Sequence, residues 1–490
     1  MADAAASKTA RELFPGTGGE AEDGAAPLRP GGGACEAGEL HGGASLTGED
    51  LARQEALERR NICALSVLFI VYLGYRSGCL VVLPLLSREL LKGELQGAEY
   101  SPLYQLPFAI WFTMDVLLAT PNAMLMRRWG RRPGFLFGAC GSCLGSLLAF
   151  AALRFCRGPR LAFVLLNASI AVMSTIGMTE FVRFAAAEVC TRPERKSVVV
   201  SRVVSGGAIL SMVGPLSASL ASSLGGSGRT QDGYALFFLG AAGCSLLGIL
   251  AAASLKLPPV DTVAPGSPPA ARLLQILRRP AVSTAIMAQV AVQFAMIAPM
   301  SAVPLRMQGH FPGMHAADIR ISSCIMLHTF CMFAPGFFTG DVIARFGLMP
   351  VMSTGLFCQA SCSVAAILGS QLWDLYSALA LLGVGWNFAF VSSTMILLDS
   401  HTPAERTKVT STNETIRFAA NGIAVLVSST VPWEHLNWVC LGLVVLVALV
   451  LMLRGRHFAG TFLQNRVDRC QHFPMTAFAP ERCFVKPVGA

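Results

Sequence analysis

Charged side chains inside long apolar segments are the first candidates for chemistry in this sequence. Glu180 and Arg183 lie three positions apart and would share one face of a helix. Arg76 and Asp115 each interrupt another apolar segment. Arg76 could anchor an anionic solute, form a static pair with Asp115, or extend toward the outer surface. The carboxylates of Glu180 and Asp115 could carry a proton, because desolvation favours the protonated form. Glu180 could equally serve only to neutralise Arg183.

Uncharged polar and aromatic residues form a second group of candidates. Gln289 and Gln293 are four positions apart, so both side chains would lie on one helical face. Trp386 and Asn387 could stack on, and hydrogen-bond to, a solute that contains a ring. Hydrogen bonding between helices is the competing role for all four. For His328, which also lies in an apolar segment, it is the preferred interpretation.

A third group consists of four arginines within six positions, in the stretch MRRWGRRPG: Arg127, Arg128, Arg131 and Arg132. Such a cluster can bind nucleic acid, lie in a solvated loop, or mark the cytoplasmic ends of two membrane helices. The composition favours the membrane helices, because 53% of the residues are hydrophobic, only 14% are charged, and the mean hydropathy is +0.56. A soluble chain of this length needs more polar surface. The net charge of +9 therefore indicates basic membrane loops rather than a nucleic-acid partner.

These residues must be positioned by membrane helices. An apolar stretch of about twenty residues crosses a bilayer core of about 30 Å as a helix. The sequence predicts an all-α membrane protein with twelve such spans, at about 62–86, 102–125, 133–155, 161–186, 198–221, 234–255, 281–306, 321–343, 349–368, 373–397, 409–430 and 437–453. The lipid bilayer, of the plasma membrane or of an organelle, is thus an expected partner.

The connections between spans predict the domain organisation. The long connection 256–280 is rich in Pro, Gly and Ser and then basic, which indicates a cytoplasmic linker with a short amphipathic helix. It separates a first six-helix half, 61–255, from a second, 281–453. Residues 1–60 are expected to be a disordered tail with a short helix near its end, and residues 454–490 a cytoplasmic tail.

Basic residues predict the orientation. With the N-terminus inside, inner connections carry about fourteen Lys or Arg and outer ones about eight, so both termini are expected in the cytoplasm. An internal repeat supports the division into pseudo-symmetric halves. CTRPERKSVVVS recurs as SHTPAERTKVTS, and MRRWGRRPG as IARFGLMPV. Matching six-helix halves are typical of secondary transporters.

The loop motifs resemble those of the major facilitator superfamily. That family's motif is Gly, three residues, Asp, a basic residue, one residue, and then Gly-Arg-Arg. Arg128–Arg132 fits its end, whereas Arg127 stands at the Asp position and Ala123 at the leading Gly. The segment Gly340–Gly347 is similar to a second copy, and 206–215 to the family's Gly-Pro motif. The resemblance covers about residues 60–455. Parts of the sequence are also similar to a bacterial-type branch of the family whose members have no assigned substrate.

The resemblance implies where the candidate residues act. Spans 4 and 7 would line a central cavity, while spans 2 and 11, and spans 5 and 8, would meet between the halves. On that architecture the four loop arginines, Arg127, Arg128, Arg131 and Arg132, are expected to belong to a cytoplasmic gate. In this gate Arg127 or Arg128 would pair with Glu414, and Arg202 with Asp341. A partly solvated pair of this kind contributes about 0–1 kcal/mol. The alternative is that the arginines only fix the orientation.

The resemblance also implies the function. We expect a monomeric secondary active transporter that moves a small organic solute by alternating access, with proton coupling as one option. A transporter-shaped receptor or assembly protein without turnover is the alternative, and an enzyme is not expected. The sequence contains no G-x-x-x-x-G-K-[ST] loop for nucleotide and no cluster of metal ligands. We therefore expect neither cofactor nor metal.

Overall fold

The computed structural model describes residues 48–95, 101–191, 196–224, 230–257, 271–311, 313–314 and 318–471. The architecture below is that of the compact unit that begins at Leu51. Residues 1–47 of the predicted N-terminal tail, residues 472–490 of the predicted C-terminal tail and most of the linker lie outside the described residues. Within these ranges the chain is helical and contains no strand.

The described residues of the first half form seven α-helices, which cover the predicted apolar segments. Gly48–Leu90 is one continuous helix, so the short helix expected before the first span is the beginning of that span. Span 4 consists of two α-helices joined by a 3-10 segment, Ser174–Phe181. The helices are α1 (Gly48–Leu90), α2 (Leu106–Trp129), α3 (Arg131–Phe155), α4 (Pro159–Met173), α5 (Val182–Val189), α6 (Lys196–Leu224) and α7 (Thr230–Ser254).

In the second half, the described residues form a one-turn helix in the linker and then seven longer helices. They are α8 (Leu273–Leu277), α9 (Pro280–His310), α10 (Ile319–Phe333), α11 (Gly336–Phe346), α12 (Leu348–Leu368), α13 (Leu372–Asp399), α14 (Arg406–Thr430) and α15 (Trp433–Gln471). Together α10 and α11 occupy the predicted span 8. The last helix continues beyond residue 453, where the sequence predicted the membrane segment to end.

The two loops that carry the repeated motif, MRRWGRRPG and IARFGLMPV, have the same backbone geometry. Gly130 joins α2 to α3 with φ 91° and ψ 165°, and Gly347 joins α11 to α12 with φ 89° and ψ 166°. Only glycine adopts such a conformation without strain. Each glycine also precedes a proline by three positions, Pro133 and Pro350. The sequence repeat is therefore a structural repeat at this loop.

Ten helices of the described chain are long and apolar enough to cross a membrane. Helices α6 and α14 occupy the predicted spans 5 and 11 but are not among these ten. Helix α14 is less apolar because it carries Glu414 and Arg417 in addition to basic residues near its start. Helix α2 packs against α14, and α6 packs against α10 and α11. These contacts bring residues of the first half to residues of the second.

Candidate functional site

A central cavity of about 90 Å³ lies between the two halves. Its walls come from the middle of α1 and α9, and from span 4, α6, α10, α13 and α14. Five sequence-predicted site residues line it: Arg76, Glu180, Arg183, Gln293 and Trp386. Because charged and aromatic side chains from both halves converge here, this cavity is the candidate binding site.

Glu180 lies at the centre of an ion-pair network. Its Oε1 accepts hydrogen bonds from the Tyr72 hydroxyl at 2.6 Å and from Arg76 Nη1 at 3.0 Å. Its Oε2 lies 3.4 Å from Arg417 Nη2 in the second half. Glu180 was expected either to carry a proton or to neutralise Arg183, but its charged partners are Arg76 and Arg417. The surrounding cations stabilise the carboxylate in its ionised form.

Glu414 completes the network from the second half. It is fully buried, and it contacts Arg183 across the interface and Arg417 on its own helix. Asn413 Nδ2 also donates to its Oε1 at 3.2 Å. The predicted gate contact of Glu414 with Arg127 or Arg128 is wrong for this structure. Glu414 stands eight residues into α14, which places it about 12 Å above the helix end.

The three arginines of the network also lie over aromatic rings. The Arg76 guanidinium is 5.1 Å from the Phe112 ring centre, that of Arg183 is 5.2 Å from Phe390, and that of Arg417 is 4.4 Å from Phe418. A ring face stabilises a desolvated cation. The aromatic lining thus helps to hold three guanidinium groups within the membrane-spanning body.

Asp115 on α2 is the acid that the network does not include. It is 3% exposed, and neither carboxylate oxygen has a hydrogen-bond partner among the described residues. The static Arg76–Asp115 pair considered from the sequence does not form, since Arg76 bonds to Tyr72 and Glu180. A Cβ at Gly177 would overlap Asp115 Oδ1. The glycine therefore lets the 3-10 segment of span 4 approach this carboxyl.

Trp386 and Phe390 form an aromatic shelf in the cavity wall. Their rings stack at 4.6 Å with an interplanar angle of 11°, and Phe333 meets Trp386 edge-on at 5.8 Å. The indole Nε1 donates to Gln293 Oε1 at 2.8 Å, which fixes the orientation of the ring. Both residues, one turn apart on α13, line the cavity, and their stacked rings form an aromatic part of its wall.

The remaining uncharged candidates bond to other helices. Asn387 Nδ2 donates to the Met332 carbonyl at 2.6 Å, and its Oδ1 accepts from Thr339 at 2.6 Å. Gln289 accepts from Asn413 Nδ2 at 2.9 Å, and its own amide donates to Thr394 at 3.4 Å. His328 Nδ1 lies 2.8 Å from the Leu379 carbonyl. Asn387, Gln289 and His328 therefore connect helices and are not among the residues that line the cavity.

The arginine-rich loop divides into exposed and buried members. Arg127, Arg128 and Arg132 are exposed, whereas Arg131 is buried and its Nε donates to Glu188 Oε2 on α5 at 2.6 Å. Arg406, at the start of α14, lies 3.8 Å from the same carboxylate. Glu188 therefore joins the loop to the second half.

The expected Arg202–Asp341 pair is absent. Both side chains are exposed, and no ion pair joins them among the described residues. A different pair orders the connection before α14, where both terminal nitrogens of Arg279 donate to the carboxylate of Glu405 at 2.7 and 2.8 Å. Glu405 is 3% exposed. These hydrogen bonds hold the pKa of its carboxyl at about 2, below the ordinary value of 4.5.

Several residues of the site were missed from the sequence, among them Tyr72, Phe390 and Arg417. A signal existed for Arg417, because it follows Glu414 by three positions inside a predicted span, as Arg183 follows Glu180. Tyr72 precedes Arg76 by one helical turn. Phe390 carried no signal in a segment already rich in aromatic residues. Among the described residues no group of His, Cys, Asp or Glu side chains is arranged to hold a metal ion.

Comparison with known proteins identifies related sequences. A family model described as Major Facilitator Superfamily matches residues 64–425. The riboflavin transporter RfnT of Brucella anthropi is 32% identical over 377 residues, which cover 74% of this chain and 90% of that protein. The uncharacterised transporter YddS of Bacillus subtilis is 26% identical over 321 residues, which cover 63% of this chain and 70% of YddS.

Solved structures share the fold at low sequence identity. The human organic anion transporter MFSD10 (TETRAN) superposes with a TM-score of 0.60 at 16% identity, covering 80% of this chain and 99% of that one. A bacterial homologue of the iron transporter ferroportin, in an outward-facing state, gives a TM-score of 0.57 at 15% identity, with the same coverage.

Proposed function

Because this chain belongs to the major facilitator superfamily and is a multi-pass membrane transporter of a small solute, we propose that its cargo is a planar, ring-containing molecule carried by alternating access. The observation that carries this proposal is the stacked Trp386–Phe390 shelf in the cavity wall. A flat heteroaromatic ring gains most binding free energy from such an aromatic wall, because ring stacking is favourable and removes apolar ring surface from water. The related RfnT transports riboflavin, and we propose riboflavin or a close analogue as the cargo.

The polar groups of the cavity favour a cargo with hydrogen-bond acceptors. Trp386 occupies the oxygen of Gln293, and no described residue accepts from the Gln293 amide nitrogen. The Nε of Arg183 is buried and has no hydrogen-bond partner among the residues described. Both groups can only donate. Ring carbonyls and ring nitrogens would satisfy them, whereas an amine cation would face three guanidinium groups.

The proposed mechanism uses contacts on both sides of the cavity. On the outer side Gln105 Nε2 donates to the Ser301 carbonyl at 2.7 Å, which joins the two halves. On the inner side Arg406 lies 3.8 Å from Glu188. If the outer contact breaks while the inner contact is kept, the cavity opens to the outer side. If the inner contact breaks while the outer one is kept, it opens to the inner side. We propose that the two halves move as rigid bodies in a monomer.

The membrane arrangement is part of this proposal. Helices α6 and α14 complete twelve spans with the ten apolar helices, in halves 61–255 and 281–453 joined by the linker 256–280. Both termini lie in the cytoplasm. The polar face of α14 supports its place within the bundle, since Glu414 and Arg417 are both buried by neighbouring helices.

Asp115 is the proposed proton carrier if transport uses a proton gradient, in preference to Glu180. Arg76 and Arg417 stabilise the ionised form of Glu180, whereas Asp115 has no hydrogen-bond partner in the part of the chain that the structure describes. An ionised carboxylate in that position would cost several kcal/mol. Arg76, Glu180, Arg417 and Glu414 all act on it electrostatically. Movement of the halves changes the distance of Asp115 from Arg417 and Glu414 in the second half. This movement would therefore change the affinity of Asp115 for a proton.

Riboflavin uptake into proteoliposomes tests the proposed cargo. The purified chain should show saturable uptake, and Trp386→Ala should raise KM about tenfold, since an aromatic stack contributes about 0.5–1.5 kcal/mol beyond burial. Trp438→Ala is the matched control, because Trp438 lies on the exposed surface of α15. Absence of uptake, or an equal effect of the two substitutions, would contradict the proposal.

A second measurement tests the proton carrier. In proteoliposomes with an imposed pH gradient, Asp115→Asn should abolish the stimulation of uptake by the gradient. Exchange of solute across the membrane without a gradient should persist, because the substituted side chain does not line the cavity. If gradient-driven uptake by Asp115→Asn equals that of the wild type, Asp115 is not the carrier.

A further inference from the structure

A second, larger space opens sideways from the helical bundle. This groove of about 320 Å³ lies between α1, α6 and α7. Four of its lining side chains are more than 40% exposed: Val213, Leu220, Leu236 and Leu247. Since the chain is a multi-pass membrane protein, the surface on which these residues lie is the one that the bilayer covers. The groove is therefore continuous with the lipid-facing surface and separate from the central cavity.

The groove results from missing side chains. A Cβ at Gly214 would overlap the Gly74 carbonyl oxygen, so glycine allows α6 to approach α1 closely. On the opposite wall, Gly240 of α7 has no heavy atom within 4 Å of the position of a Cβ. Close packing on one side and an empty position on the other leave a space between three helices. A protein interior normally fills such a space.

The residues that line the groove are suited to binding a hydrocarbon chain. The Ser217 hydroxyl donates to the Gly214 carbonyl at 2.6 Å, and the Tyr75 hydroxyl donates to Met173 Sδ at 2.9 Å. Both polar groups are thus satisfied by the protein itself. Among the described residues, no charged side chain lines the groove. A ligand would gain apolar contact there and no hydrogen bond, which fits a saturated chain and does not fit a polar headgroup.

The depth of the groove distinguishes a chain from a rigid ring system. On α7 it extends from Leu236 to Leu247, about 16 Å along the helix. These residues leave about 9 Å of helix toward Thr230 and about 10 Å toward Ser254, so the groove occupies the middle of a core of about 30 Å. A flexible acyl chain reaches this depth from its headgroup. A sterol placed there would have its hydroxyl in the hydrocarbon region without a partner. We propose that the groove binds one acyl chain of a bilayer phospholipid.

Photo-crosslinking tests this proposal directly. The full chain is reconstituted into nanodiscs that contain phosphatidylcholine with a diazirine at the middle of one acyl chain, and the crosslinked residues are mapped by mass spectrometry. Crosslinks should concentrate on the groove residues Leu236, Gly240 and Leu247. They should exceed several-fold those on Leu239 and Leu246, which are also exposed on α7 but lie outside the groove.

A matched pair of substitutions strengthens the test. Gly240→Leu fills the groove and should reduce its crosslinks several-fold. Gly243→Leu adds the same side chain to the same helix, at an exposed glycine that also has open space but does not line the groove, and should leave them unchanged. Uniform labelling of the lipid-facing leucines, or equal labelling in the two variants, would overturn the proposal. Neither result depends on which solute is transported.

Discussion

Replacement of Glu414 by Gln should destabilise the protein strongly. The carboxylate is fully buried and contacts Arg183 and Arg417, whose side chains are 7% and 3% exposed. Removing one partner of a buried ion pair costs about 3–5 kcal/mol, because the remaining charge stays desolvated. Glutamine keeps the size of the side chain and one oxygen acceptor, so the loss reports the charge rather than a cavity.

Thermal unfolding of the purified protein in detergent measures this effect. Glu434→Gln is the matched control, since Glu434 is exposed at the start of α15 and its replacement should change stability by less than about 0.5 kcal/mol. The double variant Glu414→Gln/Arg183→Gln should recover most of the loss. It leaves Arg417 with Glu180 at 3.4 Å and removes the guanidinium that Glu414 no longer balances. The two substitutions should therefore be clearly non-additive.

Two results would refute this reasoning. The midpoint of Glu414→Gln could coincide with that of Glu434→Gln, as expected for a solvated gate pair of about 0–1 kcal/mol. Alternatively, the double variant could be less stable than either single variant. In both cases the buried network would not contribute to stability as its geometry indicates.

Three further predictions concern the cytoplasmic side and the tail. The pKa of Glu405 is lowered to about 2 in the folded protein, so its stabilisation is present above about pH 4.5 and is lost as the pH falls toward 2; thermal unfolding of wild type and Glu405→Gln should therefore converge over that range. A single cysteine introduced at Arg128 should react with an impermeant maleimide only when the cytoplasmic side is accessible, and labelling from outside intact cells would contradict the orientation. Deletion of residues 2–45 should leave surface expression and uptake unchanged, and loss of uptake at normal expression would assign the tail a role.

Several helices could be predicted from the sequence to within a few residues, although the first and the last extend well beyond their predicted spans. The predicted span 133–155 corresponds to α3, Arg131–Phe155, and the predicted span 349–368 corresponds to α12, Leu348–Leu368. Bilayer thickness sets the length of an apolar segment, and charged or glycine-containing turns mark its ends. These constraints are local, so one sequence is enough to apply them.

The partners of the buried charges could not be predicted in the same way. A sequence gives the depth of a residue along its helix but not the rotation of that helix about its axis. Glu180 and Arg183 both lie in span 4, yet Glu180 contacts Arg76 on α1 and Arg417 on α14, whereas Arg183 contacts Glu414. The 3-10 segment Ser174–Phe181 adds to this difficulty. Its tighter winding, about 3.0 instead of 3.6 residues per turn, changes the direction in which Glu180 points.

The distribution of the network between the halves has a consequence for how this protein could be built from two polypeptides. Arg76 and Glu180 pair within the first half, and Glu414 and Arg417 pair within the second. If the chain were cut in the linker, each fragment would keep its buried acid neutralised. Arg417 would lose Glu180 but keep Glu414, whereas Arg183 would lose the carboxylate that it contacts. Co-expressed fragments should therefore insert separately and then recognise one another in part through Arg183, whose contacting carboxylate, Glu414, belongs to the complementary fragment.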